Sequence, residues 1–163
     1  MTATWIDGPA TGATTPRRRS PRRCAGCDRS VYRPGRGDRV EVTSPEVAAE
    51  LVVPLLAHAD REVCVAAFVD TKHRLLDVSI VSVGSLDHTF MAPREVFRDA
   101  LLANASALVL AHNHPSGDPD PSRDDELVTR RLVRAGELVG IEVLDHLVVG
   151  GDRWVSLARR GVV

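Results

Sequence analysis

A chain of 163 residues suits one domain plus a tail, since folding at this size buries on the order of 70% of the surface that the unfolded chain exposes. It is 44% hydrophobic but only 4% aromatic, so the core is expected from Val, Leu, Ile and Ala, as in a mixed α/β domain. The net charge is −1, no apolar run approaches the roughly 20 residues of a membrane span, and residues 1–23 lack the apolar stretch of a secretory signal, which together predict a cytoplasmic protein with no membrane contact. Three cysteines, Cys24, Cys27 and Cys64, are expected as thiols rather than as a disulfide framework.

Residues 1–39 hold nine Arg and three Asp, a balance of +6 that leaves −7 on the rest. Rich in Thr, Pro, Gly and Arg and without hydrophobic period, they read as a basic, disordered arm ahead of a domain spanning 40–163. Attraction to nucleic acid or another polyanion is the functional reading of this arm. Because the arginine cluster at 17–23 has no interleaved aromatic to stack on bases, a solvated extension is preferred.

Thr43 and Ser44 ahead of Pro45 and Glu46 supply an N-cap, a first-position proline and a first-turn acid, predicting a helix to about His58 with Pro54 as a potential kink. The runs EVCVAAFV (62–69) and LLDVSIVSV (75–83), separated by the polar DTKHR, predict an antiparallel hairpin. Pro93 opens an amphipathic helix, PREVFRDALLANA, and ALVLAH (107–112) reads as a buried strand. Helical periodicity returns from Ser122 to about Leu138, and IEVLDHLVVG and RWVSLA flank a Gly-Gly-Asp turn as a second hairpin. The fold class is α/β, a mixed, largely antiparallel sheet with helices packed against it.

The chemistry lies in HNHPSGDPDPSRDD, residues 112–125. In an extended segment His112 and His114 project on one face about 7 Å apart, close enough for both imidazoles to reach one ion. Pro115, Gly117, Pro119 and Pro121 force the chain to turn before the next helix, bringing its first turn back toward the strand end. Asp125 there supplies a third, carboxylate ligand and leaves a fourth position for water, as in catalytic zinc sites. A simpler reading competes with this one. His-Asn-His can be a polar loop, and Ser122 followed by Asp125 is also a capping-box pattern that satisfies a helix end.

At these residues the sequence resembles the JAMM (MPN domain) metalloprotease family, and within it the bacterial RadC-like branch. That family's pattern is His-X-His-Pro, a Ser seven residues past the proline, and an Asp after two more; His112, His114, Pro115, Ser122 and Asp125 match it. PREVF, HNHPSG and LDHLVV resemble the branch, and the likeness covers residues 42–158. The resemblance implies the MPN, deaminase-like architecture, a Zn²⁺ cofactor, and hydrolysis of a peptide or isopeptide amide in an unidentified peptide or protein substrate. It also implies a glutamate that activates the metal-bound water. Glu62 fits that position, although Val65 stands where many relatives outside the branch have glycine, and Glu95 is its rival as a first-turn helix acid. A strand residue is better placed than a surface helix residue to act as a positioned base, so Glu62 is preferred. Ser122 is assigned to hydrogen-bond the oxyanion.

Two other functions stay open at this point. One is a nucleic-acid accessory role through the arm, as the branch's association with DNA repair implies; the other is an inactive, metal-stabilised interaction module. Cys24-Ala-Gly-Cys27 is half of a zinc-ribbon pattern that a dimer or partner would have to complete, and Cys64 reads as a small buried apolar residue. His146, on an apolar strand, is given no role. No sequence feature specifies an oligomeric state.

Overall fold

The computed structural model describes residues 29–35, 37–84 and 91–163. Their order is β1 (Ser30–Tyr32), α1 (Pro45–Leu56), β2 (Val63–Val69), β3 (Leu75–Val83), α2 (Pro93–Leu102), β4 (Ala107–Asn113), α3 (Arg123–Val139), β5 (Glu142–Gly150) and β6 (Arg153–Ser156). Local chemistry sets the boundaries. The Ser44 hydroxyl accepts from the Val47 N–H with Pro45 just inside α1, and α3 runs from Ser122 to a left-handed Gly140 at φ 71°. Between β2 and β3 the Asp70 carboxylate accepts from the backbone N–H groups of Lys72 and Arg74, closing the tight turn.

The six strands lie in the order β1-β3-β2-β4-β5-β6. Every neighbouring pair is antiparallel except β4 with β5, which need α3 as their crossover. Alternation of side chains sorts the core into two layers. Val65, Ala67, Val69, Val109 and Ala111 pack with Ala48, Val52 and Leu56 of α1, while Cys64, Ala66, Phe68, Leu108 and Leu110 pack with Val96, Phe97 and Leu132 of α2 and α3. The sheet is thus covered on both faces, and the mixed, largely antiparallel architecture is the one the periodicities predict. Among the described residues no helix is long and apolar enough to cross a membrane.

One boundary differs. The sequence reading starts the domain at 40, yet β1 adds an edge strand from within the basic segment, pairing Ser30 with Ser79 and Tyr32 with Val78. Three residues are too few to show a period. Polar partners hold β1 instead: Arg33 grips the buried Asp77 carboxylate at 2.6 Å, Ser30 donates to it too, and Arg29 reaches the Val81 carbonyl at 3.0 Å and Glu95 at 3.1 Å.

Candidate metal centre

β4 is buried throughout its length, and its last turn of the pleat delivers His112, 1% exposed, on the face that α2 and α3 cover. His114 follows just beyond the strand, its N–H donating to the Val149 carbonyl of β5 at 2.8 Å. The proline-stiffened loop then returns the chain so that the first turn of α3 faces the histidines. His112 Nε2 and His114 Nε2 lie 3.1 Å apart, with Asp125 Oδ1 3.2 Å from the first and Asp125 Oδ2 3.4 Å from the second. The three side chains each offer one ligand atom, all within 4.8 Å of one another. The group can hold a metal ion.

The donor set itself tests the fit. His114 Nδ1 is 2.8 Å from the Asp118 carbonyl, which only accepts, so that nitrogen carries the proton and Nε2 faces Asp125 with its lone pair. Lone pairs converging on a carboxylate call for a cation between them, and imidazole with carboxylate suits a divalent metal. A proton can play the same part: the hydrogen bond with Asp125 raises the His114 pKa above its ordinary value, against burial. Burial would raise the Asp125 carboxyl, but hydrogen bonds with His112 and His114 outweigh it and hold it well below the usual carboxylate range.

The capping box and the metal group coexist. Asp125 Oδ2 accepts from the Ser122 N–H at 2.7 Å and from its hydroxyl at 2.6 Å, while the Asp125 N–H donates to the Ser122 oxygen at 3.1 Å. The other carboxylate oxygen is left for His112. The two readings of Ser122 and Asp125 therefore describe one carboxylate used at both of its oxygens.

Glu62 precedes β2 by one residue. The β2–β4 register pairs Cys64 with His112, and continuing it by two residues sets Glu62 opposite His114, whose pKa the Glu62 charge helps to raise. The buried Asn113 holds the backbone on both sides of this glutamate: its carbonyl oxygen accepts from the Val63 N–H at 2.8 Å, and its amide donates to the Arg61 carbonyl at 3.0 Å. Glu95 is engaged elsewhere, on Arg29 at 3.1 Å and Arg98 at 3.7 Å. Cys64 is a buried free thiol whose pKa burial pushes up, as expected of a small core residue. Cys24 and Cys27 lie outside the described residues.

Sequence reasoning passed over Asn113, Thr129 and Gly150 here and gave His146 no role. Asn113 sits between two histidines that took all the attention. His146 on β5 is fully buried, its Nε2 2.8 Å from His112 Nδ1 and its Nδ1 2.6 Å from the Thr129 hydroxyl of α3. Burial holds its pKa well below the ordinary imidazole value. The DH of LDHLVV was the available signal, and only the pairing of β5 with β4 shows its use. Gly150 is a further support: a Cβ there would stand 2.6 Å from the Gly117 carbonyl oxygen and from Pro119 N, so only glycine lets the loop lie against β5.

Comparison with known proteins agrees with this geometry. The family model of the RadC-like JAB domain matches residues 42–162. The UPF0758 protein STH371 of Symbiobacterium thermophilum is 46% identical over 125 residues, covering 77% of this chain and 53% of the relative. A UPF0758 protein of Moorella thermoacetica is 46% identical over 125 residues (77% and 55%), and one of Methanosarcina mazei 42% identical over 123 residues (76% and 54%). The chain spans about half the length of the curated relatives it matches. Since the matched segment takes in every strand from β2 to β6 and the whole His-His-Asp group, this chain belongs to the RadC-like JAB domain family.

Proposed function

We propose that the chain is a cytoplasmic, zinc-dependent hydrolase cleaving a peptide or isopeptide amide in a peptide or protein substrate. The observation that carries this reading is the convergence of His112, His114 and Asp125 beside a glutamate whose backbone Asn113 clamps on both sides. His112 and His114 through Nε2, and Asp125 through its carboxylate, would hold the ion. Zinc bound there supplies Lewis-acid chemistry, polarising the scissile carbonyl and acidifying water. Glu62 takes a proton from the attacking water and passes it to the leaving amine. Ser122, exposed at the start of α3, turns its hydroxyl from Asp125 Oδ2 to the developing oxyanion.

The test is a set of variants assayed against linear peptides and isopeptide-linked conjugates. Glu62→Gln is expected to keep its zinc and lose roughly 10²-fold or more in turnover, the usual contribution of a general base. Glu95→Gln is expected to stay close to the parent. Asp125→Asn should lose metal together with activity, because a neutral amide is a poor ligand. Loss of zinc in Glu62→Gln would make Glu62 a ligand and end the open-site mechanism. The nucleic-acid reading has less support, since Arg29, Arg33 and Arg39 of the basic segment are paired with Glu95, Asp77 and Asp70 of the domain. The inactive-module reading predicts a missing ligand or base, and candidates for all of them are in place.

A further inference from the structure

We propose that His146, acting with Thr129, fixes the tautomer of His112 so that His112 Nε2 presents a lone pair to the metal position. His146 is then a positioning residue of the centre. This rests on the metal reading above, but the hydrogen-bond chain that carries it exists in the protein alone.

The polarity of the chain is set at its far end. Thr129 Oγ1 is 2.6 Å from the Asp125 carbonyl oxygen, one turn back along α3. Two oxygens at that separation need a proton between them, and a carbonyl has none to give, so the hydroxyl proton points at Asp125. Toward His146 Nδ1, also 2.6 Å away, Thr129 has only lone pairs left, and His146 Nδ1 must donate. The His146 ring is fully buried, and neither of its nitrogens meets a carboxylate, so it is the neutral imidazole with one ring proton. That proton is now spent on Thr129. His146 Nε2 is therefore bare and accepts from His112 Nδ1–H across 2.8 Å. With Nδ1 as the donor to His146, the proton of a neutral imidazole is used there, and Nε2, 3.2 Å from Asp125 Oδ1, is the nitrogen left to take up a cation, whether a metal or a proton.

The chain closes on itself. It leaves Asp125 through its carbonyl, passes α3, β5 and β4, and returns to the Asp125 carboxylate, so one ring of contacts ties the two buried ligands to three elements. Partners of this kind orient ligating histidines and raise their basicity, and losing one typically costs about 10- to 100-fold in metal affinity.

The experiment uses the full chain labelled with ¹⁵N, with metal removed, near pH 8, where long-range ¹H–¹⁵N correlations identify each imidazole tautomer. In the parent, His112 and His146 should both be protonated at Nδ1 and bare at Nε2. Thr129→Val should leave His146 without its acceptor and give His112 a mixture of tautomers. Zinc affinity, read by competition with a chromophoric chelator, should fall about 10- to 100-fold in His146→Leu. It should recover to within a few-fold in His146→Gln, whose amide oxygen accepts from His112 and whose NH₂ donates to Thr129. A parent His112 protonated at Nε2, or a folded His146→Leu that holds zinc as tightly as the parent, overturns the proposal. If His146→Leu does not fold, the parent tautomer and Thr129→Val decide it. Parent protein with the expected tautomers but no more zinc than a His112→Ala/His114→Ala double variant supports the tautomer lock and removes the metal reading instead.

Discussion

His112 and His114 are two residues apart and reach the same point, yet they are built by different means. His112 belongs to the core: 1% exposed, in the buried strand, with its outer nitrogen on another buried histidine. His114 belongs to a loop: partly exposed, with its outer nitrogen on the Asp118 carbonyl four residues on. A ligand built into the core shares its contacts with the fold, whereas one built by a loop can be lost with little damage elsewhere.

The sharpest way to break this contrast is to delete each imidazole. Both His112→Ala and His114→Ala should lose stoichiometric metal, measured by elemental analysis after zinc loading and dialysis. His112→Ala should also destabilise the metal-free protein more than His114→Ala does, by about 1–3 kcal/mol, because it strands the buried His146 Nε2 without a donor. Chemical denaturation of both metal-free variants checks this. Equal losses of stability would mean that the loop is as much a part of the fold as the strand.

Gly150→Ala attacks the loop side alone. Its Cβ would collide with the backbone of residues 117–119 and shift the Asp118 carbonyl from His114. Metal affinity should drop on the order of 10-fold, as for other outer supports of a ligand. The ¹⁵N signals of His112 and His146 should stay where they are in the parent, and movement of both would show that the two sides are coupled.

The histidines also divide the pH dependence of the metal-free protein. The Asp125 partner raises the pKa of His114, so its stabilising contribution is complete below the ordinary imidazole value of about 6.5 and is lost as pH rises through the raised folded value. Burial lowers that of His146, so its contribution is present above about 6.5 and is lost as pH falls toward the depressed folded value. Denaturation midpoints between pH 5 and 9 should therefore peak near 6.5. His114→Ala should flatten the alkaline limb and His146→Gln the acid limb.

The smallest effect concerns the basic segment. Replacing Arg17, Arg18, Arg19, Arg22 and Arg23 by Gln should lower the salt concentration at which the protein leaves immobilised DNA, without change in zinc content. Unchanged retention would put polyanion contact on the domain.

What the sequence determined is what short-range pattern can encode. Ser44-Pro45 starts α1, the apolar runs on either side of DTKHR form β2 and β3, Ser122 starts α3, and the three candidate ligands sit in one 14-residue stretch whose prolines force a return. Each of these depends on neighbours within a turn or a pleat. The supports of the site depend on residues far along the chain: 50 positions separate Asn113 from Val63, 34 separate His112 from His146, and 17 separate Thr129 from His146. The membership of β1 in the sheet is of the same kind, since Arg33 meets Asp77 44 positions away. A histidine in an apolar strand looks the same in sequence whether its neighbour is a leucine or a metal ligand, because strand order and register choose the neighbour. Pairing β4 with β5 in parallel set His146 beside His112, and the crossover helix between them brought both Asp125 and Thr129 to the same end of the sheet.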